Sequence, residues 1–216
     1  MADRVGAARD WAAWHRSYDD PGSRLSQRLR LVQRHLRDAI DQRSGPLRII
    51  SMCAGEGRDV VGVLARQPRR GDVPARLVEL DPRYAGFARA AARAAHLDRI
   101  DVVEADAGVT DSYMGAAPAE IVLACGVFGN ISDEDVRGTI EQLPSLCAPG
   151  ATVIWTRGRE PHRDPALTIR DWFSQSGFDE VAYDAPPEAT FRVGVHRLAG
   201  APRPLEPGVR LFRFVR

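Results

Sequence analysis

Hydrophobic and polar positions switch between two periods along this chain, and the switches mark out its elements. From about Ser23 to Gln42 the residues Leu25, Leu29, Val32, Leu36 and Ile40 recur at helical spacing, which predicts an amphipathic helix. The breaker Ser44-Gly45-Pro46 ends it and introduces an apolar run at 47–53. Short apolar runs and helical stretches then take turns: strand 47–53, helix 58–67, strand 76–80, helix 83–96, strand 100–104. A strand at 119–126, a helix from Asp133 to Leu146, a strand at 151–156, a helix near 166–176 and a strand at Val181–Asp184 continue the series. Ser132, with Asp135 three residues on, fits the N-cap of the helix that starts at Asp133. Ahead of all this, residues 7–18 place Trp11, Trp14 and Tyr18 at helical spacing.

Such an order predicts an α/β protein: a doubly wound, mostly parallel sheet with helices on both faces. The expected layout is one compact domain, with a helical segment at 1–45 leading into the sheet at 46–216. Near the far end the pattern is ambiguous. Phe191–His196 and Val209–Phe214 both alternate like strands, and Pro202 and Pro204 keep them from being one. One of the two supplies a last, antiparallel strand, and the pattern alone does not choose.

The run from Leu47 to Val60 reads as a buried strand, a glycine-containing turn and a helix. That layout lets backbone N–H groups and a helix N-terminus approach a ligand closely. A second apolar strand, Arg76-Leu77-Val78-Glu79, closes in an acid. Glu79 lies where a doubly wound fold places the carboxylate that accepts from a ribose. Together they predict a nucleoside-containing cofactor at the carboxyl edge of a parallel sheet. A dinucleotide fingerprint needs Gly-x-Gly-x-x-Gly; counting from Gly55 gives Gly55, Gly57 and then Val60. The third glycine, which lets helix and strand pack behind a pyrophosphate, is missing.

The run Ser51-Met52-Cys53-Ala54-Gly55-Glu56-Gly57 resembles the first motif of the class I S-adenosylmethionine-dependent methyltransferases, acid-x-Gly-x-Gly-x-Gly. Gly55 and Gly57 match; Ser51 stands at the acid and Cys53 at the first glycine. Glu79 matches the acid that closes the second strand, and Asp106, in Ile100–Ala107, the acid after the third. The fourth strand and its end match Ala119–Asn130, and the fifth follows Pro149-Gly150. The resemblance implies a seven-stranded Rossmann-like methyltransferase sheet with an N-terminal helical lid, and S-adenosylmethionine as cofactor. It implies cofactor contacts from Cys53, Ala54, Gly55, Gly57, Glu79, Leu80, Asp106, Ala107 and Cys125. Glu79 would accept from the ribose hydroxyls and Asp106 from the adenine amine, with the Ala107 N–H facing a ring nitrogen.

Methyl transfer from a sulfonium is an in-line displacement, so holding the acceptor in line matters most. A base is needed only where the acceptor loses a proton. In the polar loop after the fifth strand, His162 is the first candidate for a base and Arg157 for an anion clamp. Asn130 either orients a substrate or closes a turn. Trp14 and Tyr18 are candidates to wall off the acceptor from a lid helix, with Tyr18 also a catalytic candidate. Where methyltransferases acting on nucleobase amines often carry Asn/Asp-Pro-Pro-aromatic, this chain has Cys125-Gly126-Val127-Phe128. That counts against such an acceptor. His35, His96 and His196 read as structural.

Composition narrows the choice. A net charge of +1 over 216 residues gives no strong field toward nucleic acid or membrane. All 30 basic side chains are Arg, so a Lys nucleophile and the Tyr-x-x-x-Lys pair of some oxidoreductases are excluded. Cys53, Cys125 and Cys147 show no paired spacing, as in a reducing cytoplasm, and no metal motif is present. No apolar run suggests a signal peptide or a membrane span. The leading expectation is a cytoplasmic methyltransferase for a small-molecule acceptor. The alternatives are an RNA or protein methyltransferase docking on the Arg-rich surface, or an inactive S-adenosylmethionine-binding partner or sensor. Ser51 and Cys53 keep the inactive form open, and an NAD-dependent oxidoreductase is a distant fourth. Oligomeric state is not encoded legibly.

Overall fold

In the computed structural model, which describes residues 17–159 and 163–215, seven strands form one sheet in the order β3-β2-β1-β4-β5-β7-β6. They are β1 (Ile49–Met52), β2 (Ala75–Glu79), β3 (Ile100–Glu104), β4 (Ala119–Ala124), β5 (Cys147–Gly158), β6 (Phe178–Asp184) and β7 (Phe191–Leu198). The first five pair in parallel, and β7 is inserted antiparallel between β5 and β6. The helices are α1 (Arg24–Asp41), α2 (Val60–Leu64), α3 (Pro82–Ala94), α4 (Asp133–Gln142) and α5 (Ala166–Gln175).

The central strands read as unbroken apolar runs because both faces of the sheet are covered. The pleat sends successive side chains to opposite layers. Ile50, Met52, Val122, Ala124, Val153 and Trp155 pack into one core with Ile140 of α4 and Phe173 of α5. Ile49, Ile121, Leu123 and Ile154 pack into the other, with Leu36 of α1, Val63 of α2 and Ala88 of α3. After β1 the chain winds outward through β2 and β3, then returns to β4 on the other side of β1. That reversal opens a crevice at the carboxyl ends of β1 and β4, where open α/β sheets bind ligands.

Several boundaries differ from the sequence pattern for local reasons. Helix α2 stops at Leu64 rather than 67: the Arg66 and Gln67 N–H groups bond three residues back, to Val63 O and Leu64 O, and Pro68 has no N–H to continue the helix. Helix α4 ends at Gln142, and Pro144, which has no N–H, leaves a 3-10 turn at Leu143–Ser145. Ser132 caps α4 as expected, its hydroxyl accepting the Asp135 N–H at 3.0 Å. Strand β5 runs past 156 to Gly158 because β7 pairs with it along Thr152–Gly158. The ambiguity between the two alternating segments resolves in favour of Phe191–Leu198. The other makes only isolated bridges, Val109 with Arg210 and Ile131 with Phe214. Of the helix expected at 7–18, only the 3-10 turn Ser17–Asp19 falls among the described residues. No helix among them is long and apolar enough to cross a membrane.

Candidate functional site

Strand β1 ends in a turn built on left-handed backbone. Cys53, Gly55 and Gly57 have φ of 51°, 57° and 69°. Glycine adopts this freely; for a residue with a Cβ it costs roughly 1–2 kcal/mol, so Cys53 holds a strained position at the motif's first glycine. The turn is pinned by the Ala54 N–H to Val78 O and the Gly57 N–H to Ala54 O, both at 2.9 Å. Gly57 serves packing: a Cβ there would lie 2.8 Å from Leu77 Cδ2 and 3.2 Å from Val61 Cγ2. It holds the turn against β2.

Two acids close β2 and take different jobs. Glu79 accepts the Gly55 N–H at Oε2 (2.7 Å) and the Asp81 N–H at Oε1 (2.9 Å). Asp81 caps α3, accepting the Arg83 N–H at 2.9 Å and pairing with the Arg83 guanidinium. That guanidinium holds the Asp81 carboxyl down at about 2. Beyond β3, Asp106 accepts the Gly108 N–H at Oδ1 (2.8 Å) and pairs with Arg210 at Oδ2 (2.5 Å). Beyond β4, Gly126 takes φ 81° and donates its N–H to Thr156 Oγ at 2.9 Å.

These ends surround a cavity of about 690 Å³, within the size range of small-molecule sites. Every residue expected to touch a cofactor lines it except Gly57. Cys53 and Cys125 face it as neutral thiols: burial pushes both upward, helped by Glu79 and Asp106 at Cys53 and by Asp59 at Cys125. Neither is a thiolate nucleophile.

The sequence reading missed a second group. Arg28 of α1 and Asp59, the residue that caps α2, also line the cavity, beside Tyr18. Arg28 Nη2 donates to the Tyr18 hydroxyl at 3.2 Å. Asp59 accepts the Val60 N–H at 2.8 Å, and burial raises its carboxyl despite the Arg28 charge. Burial also raises the Tyr18 phenol, so it stays protonated. The Arg58 guanidinium lies 5.2 Å from the centre of the Tyr18 ring, a cation–π distance. An acid at the start of the helix after the glycine turn was a readable signal for Asp59. Arg28 sits beside the apolar stripe of α1, where nothing distinguishes it from a solvated arginine.

Asn130 and Arg157 do not line the cavity. The Asn130 amide donates to Gly126 O at 2.7 Å and closes the loop after β4, the turn role weighed against substrate binding. Arg157 is buried with its guanidinium 3.9 Å from Asp133. Trp14 and His162 lie outside the described residues. His196 is buried in the sheet, accepting at Nδ1 from the Trp155 indole at 3.1 Å, and is structural as expected.

No protein-family model and no curated protein matches the sequence. Solved structures do match. An O-methyltransferase family protein from Burkholderia thailandensis superposes with a TM-score of 0.61 at 14% identity, over 88% of this chain and 69% of that one. Magnesium protoporphyrin IX methyltransferase from Synechocystis PCC 6803, solved with SAH bound, gives 0.61 at 14% identity, over 87% and 93%. Precorrin-6y C5,15-methyltransferase from Geobacter metallireducens GS-15 gives 0.57 at 11% identity, over 78% and 86%. With its strand order, its antiparallel β7 and these neighbours, the chain has the fold of the class I S-adenosylmethionine-dependent methyltransferases.

Proposed function

We propose that this protein binds S-adenosylmethionine and transfers its methyl group to a small-molecule acceptor. The observation that carries the reading is Glu79, held at the cavity by the Gly55 and Asp81 N–H groups. A carboxylate has about four acceptor sites, so two remain after those bonds to take two ribose hydroxyls. Asp106 and Ala107 line the same cavity and suit the adenine edge, while Cys53, Ala54, Gly55 and Cys125 suit the sulfonium region. Leu80 offers apolar surface.

The amino-acid end needs partners for a carboxylate and an ammonium. Ser51, where the family's motif has its acid, is buried within β1 and does not line the cavity. Arg28 and Asp59 supply the missing cation and anion. In this reading Arg28 takes the carboxylate and Asp59 takes the ammonium.

The bound cofactor supplies an activated methyl group; the chain's own work is positioning and exclusion of water. Tyr18, a neutral phenol at the cavity, orients the acceptor by hydrogen bonding and does not act as a phenolate base. Helix α1 packs on the sheet through Val32, Leu36 and Ile40, so a lid role is kept for the residues ahead of it. Trp14, outside the described residues, is assigned to acceptor contact by its sequence position alone. His162 is the base where the acceptor requires one. Asn130 and Arg157 shape the loops beside the acceptor. A small acceptor is supported by the cavity size, by the net charge of +1 and by Cys125-Gly126-Val127-Phe128 at the end of β4.

Calorimetry tests the cofactor first. S-adenosylmethionine and S-adenosylhomocysteine should bind and NAD should not; the opposite result would overturn the reading. A methyl-labelled cofactor then tests the acceptor. Label should enter the low-molecular-weight fraction of a cell extract, and label in RNA or protein instead would overturn the small-molecule assignment.

A further inference from the structure

We infer that Phe214 supplies one of the two apolar faces between which the adenine ring is held, the other being Leu80. The assignment rests on the cofactor reading above. Nothing in the sequence marks Phe214, and its segment does not join the sheet.

The segment 208–215 is laced to the loops that follow β3 and β4. The Gly208 N–H donates to Asp111 Oδ2 at 2.6 Å, the Val209 N–H to Thr110 Oγ at 3.0 Å, and the Leu211 N–H to Gly108 O at 2.8 Å. The Thr139 hydroxyl donates to Leu211 O at 2.9 Å, and the Val215 N–H to Asn130 O at 2.9 Å. A Cβ on Gly108 would lie 2.4 Å from Phe212 O. The segment therefore presses directly on the chain that leaves Asp106, while Arg210 pairs with the Asp106 carboxylate. Arg210 and the Gly108 N–H together fix the acid that the cofactor reading turns toward the adenine amine.

With the segment so anchored, its two phenylalanines differ sharply. Phe212 is 1% exposed and belongs to the core. Phe214, edge-on to it at 5.6 Å, is 45% exposed and lines the cavity. Leu80, the residue after Glu79, is 67% exposed and lines the same cavity. The two arrive from opposite layers. Leu80 leads into α3, whose Ala85 and Ala88 pack with α1 and α2; Phe214 follows Leu211 and Phe212, which pack with α4 and α5. A flat apolar ring whose edge is read by Asp106 and Ala107 calls for such a pair of faces. Stacking on an aromatic side chain serves any base, and the edge contacts supply the choice of adenine.

The test uses the full chain with Phe214→Ala and Phe214→Tyr, and two ligands, S-adenosylhomocysteine and 5′-methylthioadenosine. Both carry adenosine, and only the first carries the amino-acid end. Phe214→Ala should weaken both by roughly ten-fold, the loss expected when a base loses its aromatic partner. Phe214→Tyr should restore both, and the ligand-free melting temperature should hold because the ring is already half exposed. Binding by Phe214→Ala within about two-fold of wild type would overturn the assignment and leave the cofactor reading standing. So would a loss that comes with a lowered ligand-free melting temperature and is shared by Phe214→Tyr, since Phe214 would then be a structural anchor. Failure of the wild-type chain to bind either ligand would overturn both.

Discussion

Glu79, the last residue of β2, accepts the Gly55 N–H across the carboxyl edge of the sheet at 2.7 Å. This bond ties the acid proposed for the ribose to the turn proposed for the sulfonium, so the two halves of the site are placed together. Glu79→Ala is therefore expected to act twice. It removes the ribose acceptor, a charge-assisted bond worth roughly 1.5–3 kcal/mol, so cofactor binding should weaken about ten-fold or more. It also leaves the Gly55 and Asp81 N–H groups without their acceptor, so the melting temperature should fall. Asp81→Ala removes a helix cap, about 1 kcal/mol, and should leave binding nearly unchanged. Calorimetry and melts on both variants check this; equal losses of affinity would reject the division of labour.

The amino-acid end gives a separate expectation. Arg28→Met should weaken S-adenosylhomocysteine by roughly ten-fold, the scale of a lost hydrogen bond to a charged group, and leave 5′-methylthioadenosine unaffected. Asp59→Asn keeps the side chain's size and an oxygen to cap α2 and should show the same pattern through the ammonium. A loss shared equally by both ligands would place Arg28 in the scaffold rather than at the cofactor.

Most of the sheet was legible because it obeys one rule: strands covered on both faces read as short apolar runs, and the helices between them as amphipathic stretches. Glu79, Asp106 and the Gly55 turn were legible because the topology places strand ends 1 to 4 at one crevice. The two C-terminal alternating segments were not distinguishable. Arg192 looks like a solvent-facing position in β7, yet it is buried, paired with Asp164 at 2.8 Å. Polar alternation in β7 therefore mimicked the genuine exposure of Arg210 and Arg213 in the looser segment. Arg28 and Phe214 were illegible for a related reason. Their relevance comes from tertiary approach to the cavity, and no local spacing encodes it.

Tyr18 separates a role in turnover from a role in packing. Its turn is fastened to α1, with the Ser23 hydroxyl donating to Ser17 O at 2.5 Å and the Ser26 hydroxyl to Tyr18 O at 2.9 Å. Tyr18→Phe should lower turnover while cofactor affinity and melting temperature stay near wild type. Tyr18→Ala should lower turnover too. If its main effect is instead a drop in melting temperature, with about 3–5 kcal/mol lost as for a buried aromatic cut to Ala, the ring is a packing element only.

Gly194 of β7 stands opposite Trp155 of β5. A Cβ there would lie 2.2 Å from Trp155 Cε2 and 2.5 Å from Nε1, and the indole is fully buried against Phe173 at 5.9 Å. The ring has nowhere to move. Gly194→Ala should cost about 1–3 kcal/mol or more, read as a melting temperature lower by roughly 3–10 °C. An unchanged melt would mean that the β5–β7 pairing is looser than its register indicates.

His196 makes the stability of the same sheet depend on pH. It accepts the Trp155 indole N–H at Nδ1, which leaves its own proton on Nε2, 3.7 Å from Glu180. Its ring stacks on Phe173 at 4.3 Å. Burial lowers its pKa from 6.5 to about 4; Glu180 pulls the other way, and the charge of Arg170, which pairs with Glu180, adds to the lowering. The folded protein thus holds the imidazole neutral at pH values where the unfolded chain protonates it. Between those two values the unfolded state binds more protons, so stability falls as pH falls. The contribution is fully present above about 6.5 and gone below about 4, with a ceiling of roughly 3 kcal/mol. His196→Gln keeps an acceptor for the indole and does not titrate. Its melting temperature should therefore be flatter than wild type across that window, once the shared carboxylate titrations are subtracted. Parallel curves for the two proteins would show that His196 takes up its proton in the fold as readily as in the unfolded chain, and burial would not be holding it neutral.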